Sequence, residues 1–272
     1  MAEVIFNPNE LILEKIRNVK SYDPDTCELN GYYTQIEEPT LEFTTNSTDV
    51  LDAMQTPIYT IYNGQTGTFS FTNSLFSLDL AALQFGTKKQ VADETNKLVV
   101  PMSETLEIGS DASVTLKYTP VGDTVGAEIP YVTILKSDNT FGTKFKVGAT
   151  AASGAENTFT IDATAKKLQF PEGTTGRVIV DYNRESSQAA IVTKTTDGIP
   201  QVSKLIIEAI FHDKCNTNNI IAGYIICYRA QVDPSSVSLN LTAEGKHAVT
   251  FKLQKPYCDA DGKLVDVVVV ND

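Results

Sequence analysis

Two segments decide the fold: LIIEAIF at residues 205–211 and, after a polar loop, YIICYRAQV at residues 224–232. In the first, the alternate positions are Leu205, Ile207, Ala209 and Phe211. In the second, they are Tyr224, Ile226, Tyr228, Ala230 and Val232. Alternation with a period of two residues is typical of a strand that is half-buried on a sheet. The pattern recurs along nearly the whole chain, so the sequence predicts a mainly β protein whose function depends on its shape.

Composition narrows the possible functions. The chain has 272 residues, a 42% apolar content and a formal net charge of −12. It is long enough to bury its own core, as one large β domain or two smaller ones. The negative charge argues against binding nucleic acid or an anionic membrane by electrostatic attraction. With only two histidines, the chain has few groups for acid–base chemistry near neutral pH.

Targeting and metal-binding signals are lacking in the sequence. The first residues, Met1–Pro8, contain neither a basic nor an apolar signal-peptide region, so we expect none. No apolar run approaches the roughly 20 residues that a membrane span needs, and we therefore expect no membrane insertion. The four cysteines, at positions 27, 215, 227 and 258, show no C-x-x-C spacing. Free thiols in a cytosolic product are the better interpretation, and no metal or other cofactor is expected.

Turn and cap residues divide the first third of the chain. The segments Ile58–Tyr62 and Thr68–Thr72 flank NGQTG at residues 63–67, which predicts a β-hairpin with a glycine-bearing loop. Asn73 or Ser74 can cap a helix over Leu75–Phe85, and Gly86 can end it. This helix has few polar residues, so we expect protein to surround it on most sides. The polar segment after it, residues 87–96, is predicted to be a loop.

Strand patterns resume after residue 113. The alternating apolar positions are Val114, Leu116, Tyr118, Phe159, Ile161, Leu168, Phe170, Val178, Val180 and Tyr182. We interpret residues 1–272 as one β domain in which about residues 110–182 are either an elaboration or a small inserted β region. Further strands are predicted around Val237–Leu241, Val249–Leu253 and Leu264–Val270, the last entered through a turn at Asp261-Gly262. Many strands with a single helix indicate a β-sandwich or barrel.

Candidate chemical groups have simpler structural interpretations. His212 lies near Asp213 and Cys215, but a strand-end imidazole that faces water or a neighbouring chain is favoured over a nucleophile or metal site. His247, in a turn before a strand, is interpreted in the same way. The DADG sequence at residues 259–262 lacks the spacing of a calcium loop and favours a hairpin turn. Tyrosine pairs such as Tyr32-Tyr33 favour packing over a sugar-binding platform. We therefore expect no enzyme activity.

The order of elements resembles that of the major tail (tail tube) proteins of long-tailed bacteriophages. The segments that carry this resemblance are Thr48–Asp52, the predicted hairpin Ile58–Thr72, the helix ending at Leu83–Gly86, and then Arg177–Tyr182, Leu205–Asp213 and Tyr224–Val232. The resemblance implies a β-sandwich with one flanking α-helix and two long hairpins. In that family, hairpins from six subunits join into an inner β-barrel, and stacked rings form a conduit for genome ejection into the host.

The resemblance also implies a location, partners and a set of site residues. The protein would belong to the virion tail after assembly in the host cytoplasm. It would contact further copies of itself, the tape measure, tail terminator and baseplate proteins, and viral DNA that passes without specific binding. By position, the lumen hairpins would contain Ile58, Tyr59, Thr60, Ile61, Tyr62, Thr68, Phe69, Ser70, Phe71, Leu205, Ile207, Ala209, Phe211, Tyr224, Ile226, Tyr228, Ala230 and Val232.

Two other functions remain open from the sequence. A capsid decoration or receptor-binding protein could also be acidic and rich in strands. A glycan-processing enzyme on a β-sandwich would need paired carboxylates on facing strands, and the sequence shows no such pair.

Overall fold

The fold is described from a computed structural model, for residues 10–154, 157–214, 219–236, 246–256 and 262–271. The elements of the described chain, in order, are β1 (Leu11–Tyr22), β2 (Leu29–Tyr33), β3 (Ile36–Leu51), β4 (Pro57–Asn73), α1 (Leu78–Phe85), β5 (Gln90–Val91), β6 (Leu98–Glu107), β7 (Ser113–Thr115), β8 (Tyr131–Leu135), β9 (Phe141–Val147), β10 (Thr158–Asp162), β11 (Lys167–Gln169), β12 (Arg177–Ser186), β13 (Ala190–Ile191), β14 (Val202–Asp213), β15 (Ile220–Val232), a 3₁₀ turn (Pro234–Ser236), β16 (His247–Leu253) and β17 (Val265–Val270). The predicted mainly β class with one α-helix is confirmed for these residues.

The chain forms two compact units. The first contains the described residues of Met1–Lys89 and Val192–Asp272, and the second contains those of Gln90–Ile191. The region predicted as an elaboration, about residues 110–182, falls within the second unit. Its interpretation as part of a single domain stays a prediction.

The first unit is built on one eight-stranded sheet. Its strand order is β2-β1-β14-β15-β16-β4-β3, and β17 pairs with β15. The sheet curls so that strands from its two ends meet, since the rings of Tyr33 in β2 and Phe71 in β4 lie 5.8 Å apart. Between the facing strands lies a buried core of Val19, Tyr33, Phe69, Phe71, Leu80, Leu205, Ile207, Cys227, Ala230, Val232, Val249, Phe251 and Leu253.

The predicted hairpin of β14 and β15 is confirmed, but its predicted faces are partly wrong. Leu205 pairs with Cys227, whereas Ser203 pairs with Ala230, so β15 has one extra residue at this point. This β-bulge changes which alternate residues face the core. Tyr224, Ile226 and Tyr228 lie on the outer face, while Ala230 and Val232 are buried. The period-2 pattern could not show the bulge because it depends on the partner strand.

The hairpin predicted within Ile58–Thr72 is wrong. Residues 57–73 form the single strand β4, which pairs along its length with β3. Thr45 pairs with Gln65 and Asn46 with Asn63, so Gly64 is an unpaired bulge residue with a φ of 68°. Glycine tolerates this positive φ in a bulge as well as in a turn, which is why the Asn-Gly pair was misleading.

The turn of this long hairpin lies instead between β3 and β4. The Oδ1 atom of Asp52 accepts hydrogen bonds from the backbone N–H groups of Met54 at 2.8 Å and Thr56 at 2.9 Å. Gln55 takes a positive φ of 62°. An aspartate that bonds its own downstream backbone stabilises a tight turn without a proline or glycine signal.

The helix begins later than predicted and ends as predicted. Its N-cap is Ser77, whose side chain accepts a hydrogen bond from the backbone N–H of Leu80. The predicted caps have other partners: the side-chain amide of Asn73 donates to Leu75 O, and Ser74 Oγ donates to Glu37 Oε1. Gly86 ends the helix in the left-handed conformation. Within the polar segment predicted as a loop, residues 90 and 91 form the short strand β5.

The second unit has its own sheet and core. The strand order is β6-β12-β8-β9-β10-β11-β7, and β5 and β13 form a separate two-stranded pair. Its buried core contains Ile108, Ala112, Val114, Leu116, Ile129, Val132, Phe145, Phe159, Leu168, Phe170, Val178, Val180 and Tyr182. The strands predicted around Val114, Phe159, Leu168 and Val178 are confirmed, whereas β6, β8 and β9 were not predicted.

Two predicted features near the C-terminus lie outside the described residues: the strand around Val237–Leu241, and Asp259–Asp261 of the DADG turn. The strands predicted at Val249–Leu253 and Leu264–Val270 are confirmed as β16 and β17.

Candidate functional site

The distal part of the β3–β4 hairpin extends beyond the sheet as a two-stranded ribbon. Strand β16 pairs with β4 only over Gly67–Asn73. Residues 44–66, which we call the arm, therefore have no third strand beside them within the described chain. Unpaired strand edges invite pairing with another chain, and native proteins normally cover or charge them.

Large apolar side chains on the arm face solvent. Tyr62 is 72% exposed, Tyr59 is 69% exposed and Met54 at the turn is 86% exposed. Further exposed apolar residues of the arm are Val50, Leu51, Ile58 and Ile61. A contiguous exposed apolar surface is unfavourable in a monomer and usually marks a protein–protein contact. Its burial would contribute about 25 cal/mol per Å² of apolar area removed from water.

Both faces of the arm carry such residues. In an antiparallel ribbon, paired residues share a face. Val50 pairs with Tyr59 on one face, and Ser47 pairs with Tyr62 on the other. Polar bonds tie the strands together between these pairs, for example from Thr60 Oγ1 to Asp49 Oδ1 at 2.7 Å. The arm can thus contact neighbours on two sides.

The arm lies in the most acidic stretch of the chain. Between Lys20 and Lys88 the sequence contains no lysine or arginine, and the charged residues of the arm are Asp49 and Asp52. Contacts made by the arm therefore depend on apolar and backbone groups, and a partner surface with basic residues is electrostatically favoured.

The structure distributes the predicted lumen residues over four environments. On the exposed arm are Ile58, Tyr59, Thr60, Ile61 and Tyr62. On the outer sheet face are Thr68, Ser70, Tyr224, Ile226 and Tyr228. In the core are Phe69, Phe71, Leu205, Ile207, Ala209, Ala230 and Val232. Phe211 is partly buried near the end of β14.

Sequence reasoning missed the arm residues Val50, Leu51 and Met54. The local sequence gave little signal for them, because the alternation of Leu41 and Phe43 with polar residues stops at the polar run of residues 44–49. Exposure of the strand tip follows from where β16 stops pairing, which the local sequence does not show.

Polar contacts on the outer face of β1, β14, β15 and β17 hold neighbouring strands together. Glu208 forms an ion pair with Lys20 and accepts a hydrogen bond from the Asn18 amide at 2.6 Å. Desolvation acts to raise the pKa of Glu208, but bonds from Lys20 and Asn18 outweigh it and lower that pKa. The Tyr228 hydroxyl donates to Asp266 at 2.6 Å.

The two histidines have structural partners. His212 Nε2 lies 2.6 Å from Glu14 Oε2 across β14 and β1, and this contact lowers the pKa of Glu14. His247 is buried and bonds to Gln84. Over the part of the chain that the structure describes, no group of three or more His, Cys, Asp or Glu side chains is placed to hold a metal ion.

A cavity of about 230 Å³ beside β2 and the end of α1 is lined by Asp23, Glu28, Asp79, Leu83, Lys88 and other residues. Within this lining, Asp79 is paired with Lys89 at 2.5 Å. Among the described elements, no helix combines the length and apolar character that a membrane crossing requires.

Comparison with known families agrees with this architecture. Residues 54–267 match the family model of the YomU/Tube protein family, which is a phage tail tube family. Among curated proteins, none matches the chain. The family match spans the second strand of the arm, the helix, the whole second unit and the β14–β15 hairpin. With more than half of its length matched, the chain belongs to the YomU/Tube family and is a structural protein of the phage tail tube.

Proposed function

We propose that the protein assembles with copies of itself into stacked rings, six subunits to a ring, which form a tail tube through which the genome is ejected. The observation that carries this proposal is the arm. It combines open strand edges with apolar side chains exposed on both faces. A second copy of the chain can satisfy both, because strand addition completes the backbone hydrogen bonds while side chains pack.

Assembly would use the open strand edges of the first unit, one of which belongs to the β3–β4 hairpin. The first unit has open edges at β3 and at β17, each of which pairs with one neighbour only among the described strands. Joining such edges between subunits closes a sheet into a ring and removes the edges altogether. The buried residues of the predicted lumen set, such as Leu205 and Phe69, would act by holding these strands in place.

Charge supports the conduit role. With −12 per chain, a ring of six carries six times −12, or −72. A polyanion binds strongly where cations replace its counterions, so an acidic ring lets DNA pass without strong attachment. A non-enzymatic role fits this proposal.

The remaining partners follow from the same proposal. The subunits would assemble in the host cytoplasm and then belong to the virion tail. The ends of the tube would contact tail terminator and baseplate proteins, and the tape measure protein would occupy the bore before ejection.

Electron microscopy of the purified protein at high concentration tests this proposal. We expect rings or hollow filaments of constant bore from the wild type, and folded monomers from the arm variant Tyr59→Ser/Tyr62→Ser. Val125→Ser is the matched control, because Val125 is 95% exposed but lies in the second unit. A wild type that forms only monomers or trimers would overturn the tube, and an arm variant that forms normal tubes would overturn the role of the arm.

A further inference from the structure

One sheet surface of the first unit carries hydroxyl groups in cross-strand rows. Ser70 of β4 pairs with Thr40 of β3 on one side and with Thr250 of β16 on the other. In the adjacent row, Thr68 lies between Glu42 and Lys252. We call the outer face of β3, β4 and β16 the hydroxyl face; its residues are Glu37, Thr40, Glu42, Thr68, Ser70, Thr72, Ala248, Thr250 and Lys252.

The orientation of this face is fixed by the core. Alternate residues of the same strands, including Phe69, Phe71 and Phe251, are at most 3% exposed and form the hydrophobic core. A one-residue shift in strand register would bury the hydroxyls and expose the phenylalanines. The fold would then lose the free energy of burying several apolar side chains. The hydroxyl rows must therefore face away from the core.

The hydroxyl face presents no unpaired cation among the described residues. Lys252 Nζ lies 2.9 Å from Asp233 Oδ2. At the edge of the face near the start of β3 and β16, Lys246 Nζ lies 2.8 Å from Glu37 Oε2. Beyond the hydroxyl face, on the neighbouring strand β15, Arg229 donates a hydrogen bond to Gln254. Glu42 leaves the face weakly acidic.

Other solvent-facing surfaces have a different chemistry. In the second unit, Lys144 lies over the ring of Tyr131 at 4.4 Å, and Lys146 pairs with Tyr131 across the strands. Lysines beside an exposed aromatic ring are suited to holding a polyanion. The outer face of β14 and β15 carries Ile206 and Ile226 together with Lys204. Such surfaces would retard a passing polyanion or need a protein partner.

We propose that the hydroxyl face lines the bore of the tube and faces the DNA. This inference rests on the proposed tube assembly. Serine and threonine hydroxyls keep a hydration layer through which phosphates can exchange contacts. Lysines that are already paired with carboxylates displace few counterions from DNA and so bind it weakly. The wall is wet and slightly acidic, so DNA moves along it without a fixed binding site.

Cysteine labelling of assembled tubes tests the location. The variants are Ser70→Cys and Thr250→Cys, and labelling of the wild-type cysteines is subtracted. One reagent is a small maleimide, and the other is a maleimide coupled to a globular protein too wide for a channel that fits a DNA duplex. Electron microscopy of each variant first shows whether tubes form, so failure of assembly is recognised separately from failure of the lumen assignment.

We expect the small reagent to label both cysteines in intact tubes, and the wide reagent to label them only after the tubes are dissociated. Labelling of intact tubes by the wide reagent would place the face outside and overturn the inference. Protection from both reagents would place the face between subunits and overturn it equally.

A functional measurement uses introduced charge. Tubes of Thr68→Lys/Thr250→Lys should retain short duplex DNA at low salt and release it as salt rises, whereas tubes of wild type and Val125→Lys should not. Equal retention by the Val125→Lys control would show that lysine acts without lining the bore.

Discussion

The Nε2 atom of His247 lies 2.7 Å from Oε1 of Gln84, and this pair joins β16 to α1 inside the first unit. Gln84 is fully buried and His247 is 1% exposed. The Gln84 amide donates to Ala248 O at 3.0 Å, so its oxygen accepts and His247 Nε2 donates. The ring of Phe76 stacks on His247 with 5.5 Å between centroids. Sequence analysis expected a turn histidine, but the structure shows a buried one.

This pair makes stability depend on pH. Burial lowers the pKa of His247 below its ordinary value, so the unfolded chain binds a proton more readily than the folded one. Stability is therefore complete above the unfolded pKa of about 6.5 and decreases as pH falls below it. The charged neighbours on this side, Lys246 and Glu37, are paired with each other and do not compensate a buried imidazolium.

Thermal unfolding of the wild type and His247→Gln between about pH 8 and about pH 5 measures this effect. We expect the melting temperature of the wild type to fall more steeply, because glutamine can replace the hydrogen bond without titrating. Parallel curves for the two proteins would contradict the assignment.

Gly86, which ends α1, should be the glycine most sensitive to substitution. Gly86 has a φ of 70°, and an added Cβ would lie 2.1 Å from the backbone oxygen of Ile199. Gly86→Ala therefore combines backbone strain with a clash that only a backbone shift relieves, and we expect a loss of about 2 kcal/mol or more.

Gly64→Ala is its matched control. Gly64 has a similar φ of 68° but no atom within 4 Å of the added Cβ. Only the conformational cost of about 1 kcal/mol should remain. Chemical denaturation of the two variants gives the comparison, and equal losses would show that the Ile199 contact is unimportant.

Core substitutions should act within their own unit. Phe251 and Phe159 are each fully buried, the first in the core of the first unit and the second in that of the second. Truncation to alanine should destabilise each unit by about 3–5 kcal/mol. Hydrogen exchange should rise in β4, β15 and β16 for Phe251→Ala and in β10, β11 and β12 for Phe159→Ala. The same exchange pattern from both variants would contradict separate cores.

A tyrosine joins three segments of the second unit. The Tyr182 hydroxyl donates to Glu104, and it accepts from the backbone N–H of Tyr118 at 3.2 Å. Burial and the bond to Glu104 raise the pKa of Tyr182 to about 12, so the hydroxyl stays protonated and can donate. Tyr182→Phe should cost about 1–3 kcal/mol because two polar groups lose their partner. Denaturation measures this loss, and Tyr131→Phe, at an exposed ring, is the control that should change little.

Several features could be predicted because their signals are local. Alternation over Leu205–Phe211 depends only on residues two positions apart, and a strand with one buried face requires it. Gly86 ends the helix because the left-handed conformation favours glycine. These signals predicted the mainly β class, and most of the strands predicted from them are present among the described residues.

Features that depend on a partner strand could not be predicted. Asn63-Gly64 fits a turn or a bulge equally well. It forms a bulge because β3 pairs with β4 on both sides of Gly64. The bulge at Tyr228, which places Ala230 and Val232 in the core, likewise depends on how β15 pairs with β14. The helix begins after Ser77, and not at the predicted caps, because the side chains of Asn73 and Ser74 form other hydrogen bonds.

By itself, the sequence determined the alternating strands, the capped helix and the acidic net charge, because periodicity, helix caps and charge depend on the residues themselves and their close neighbours. Only the tertiary structure decided which ribbon extends as the arm and which face carries the hydroxyls. Exposure is set by where one strand stops pairing with another, and β4 and β16 are brought together from positions far apart in the chain.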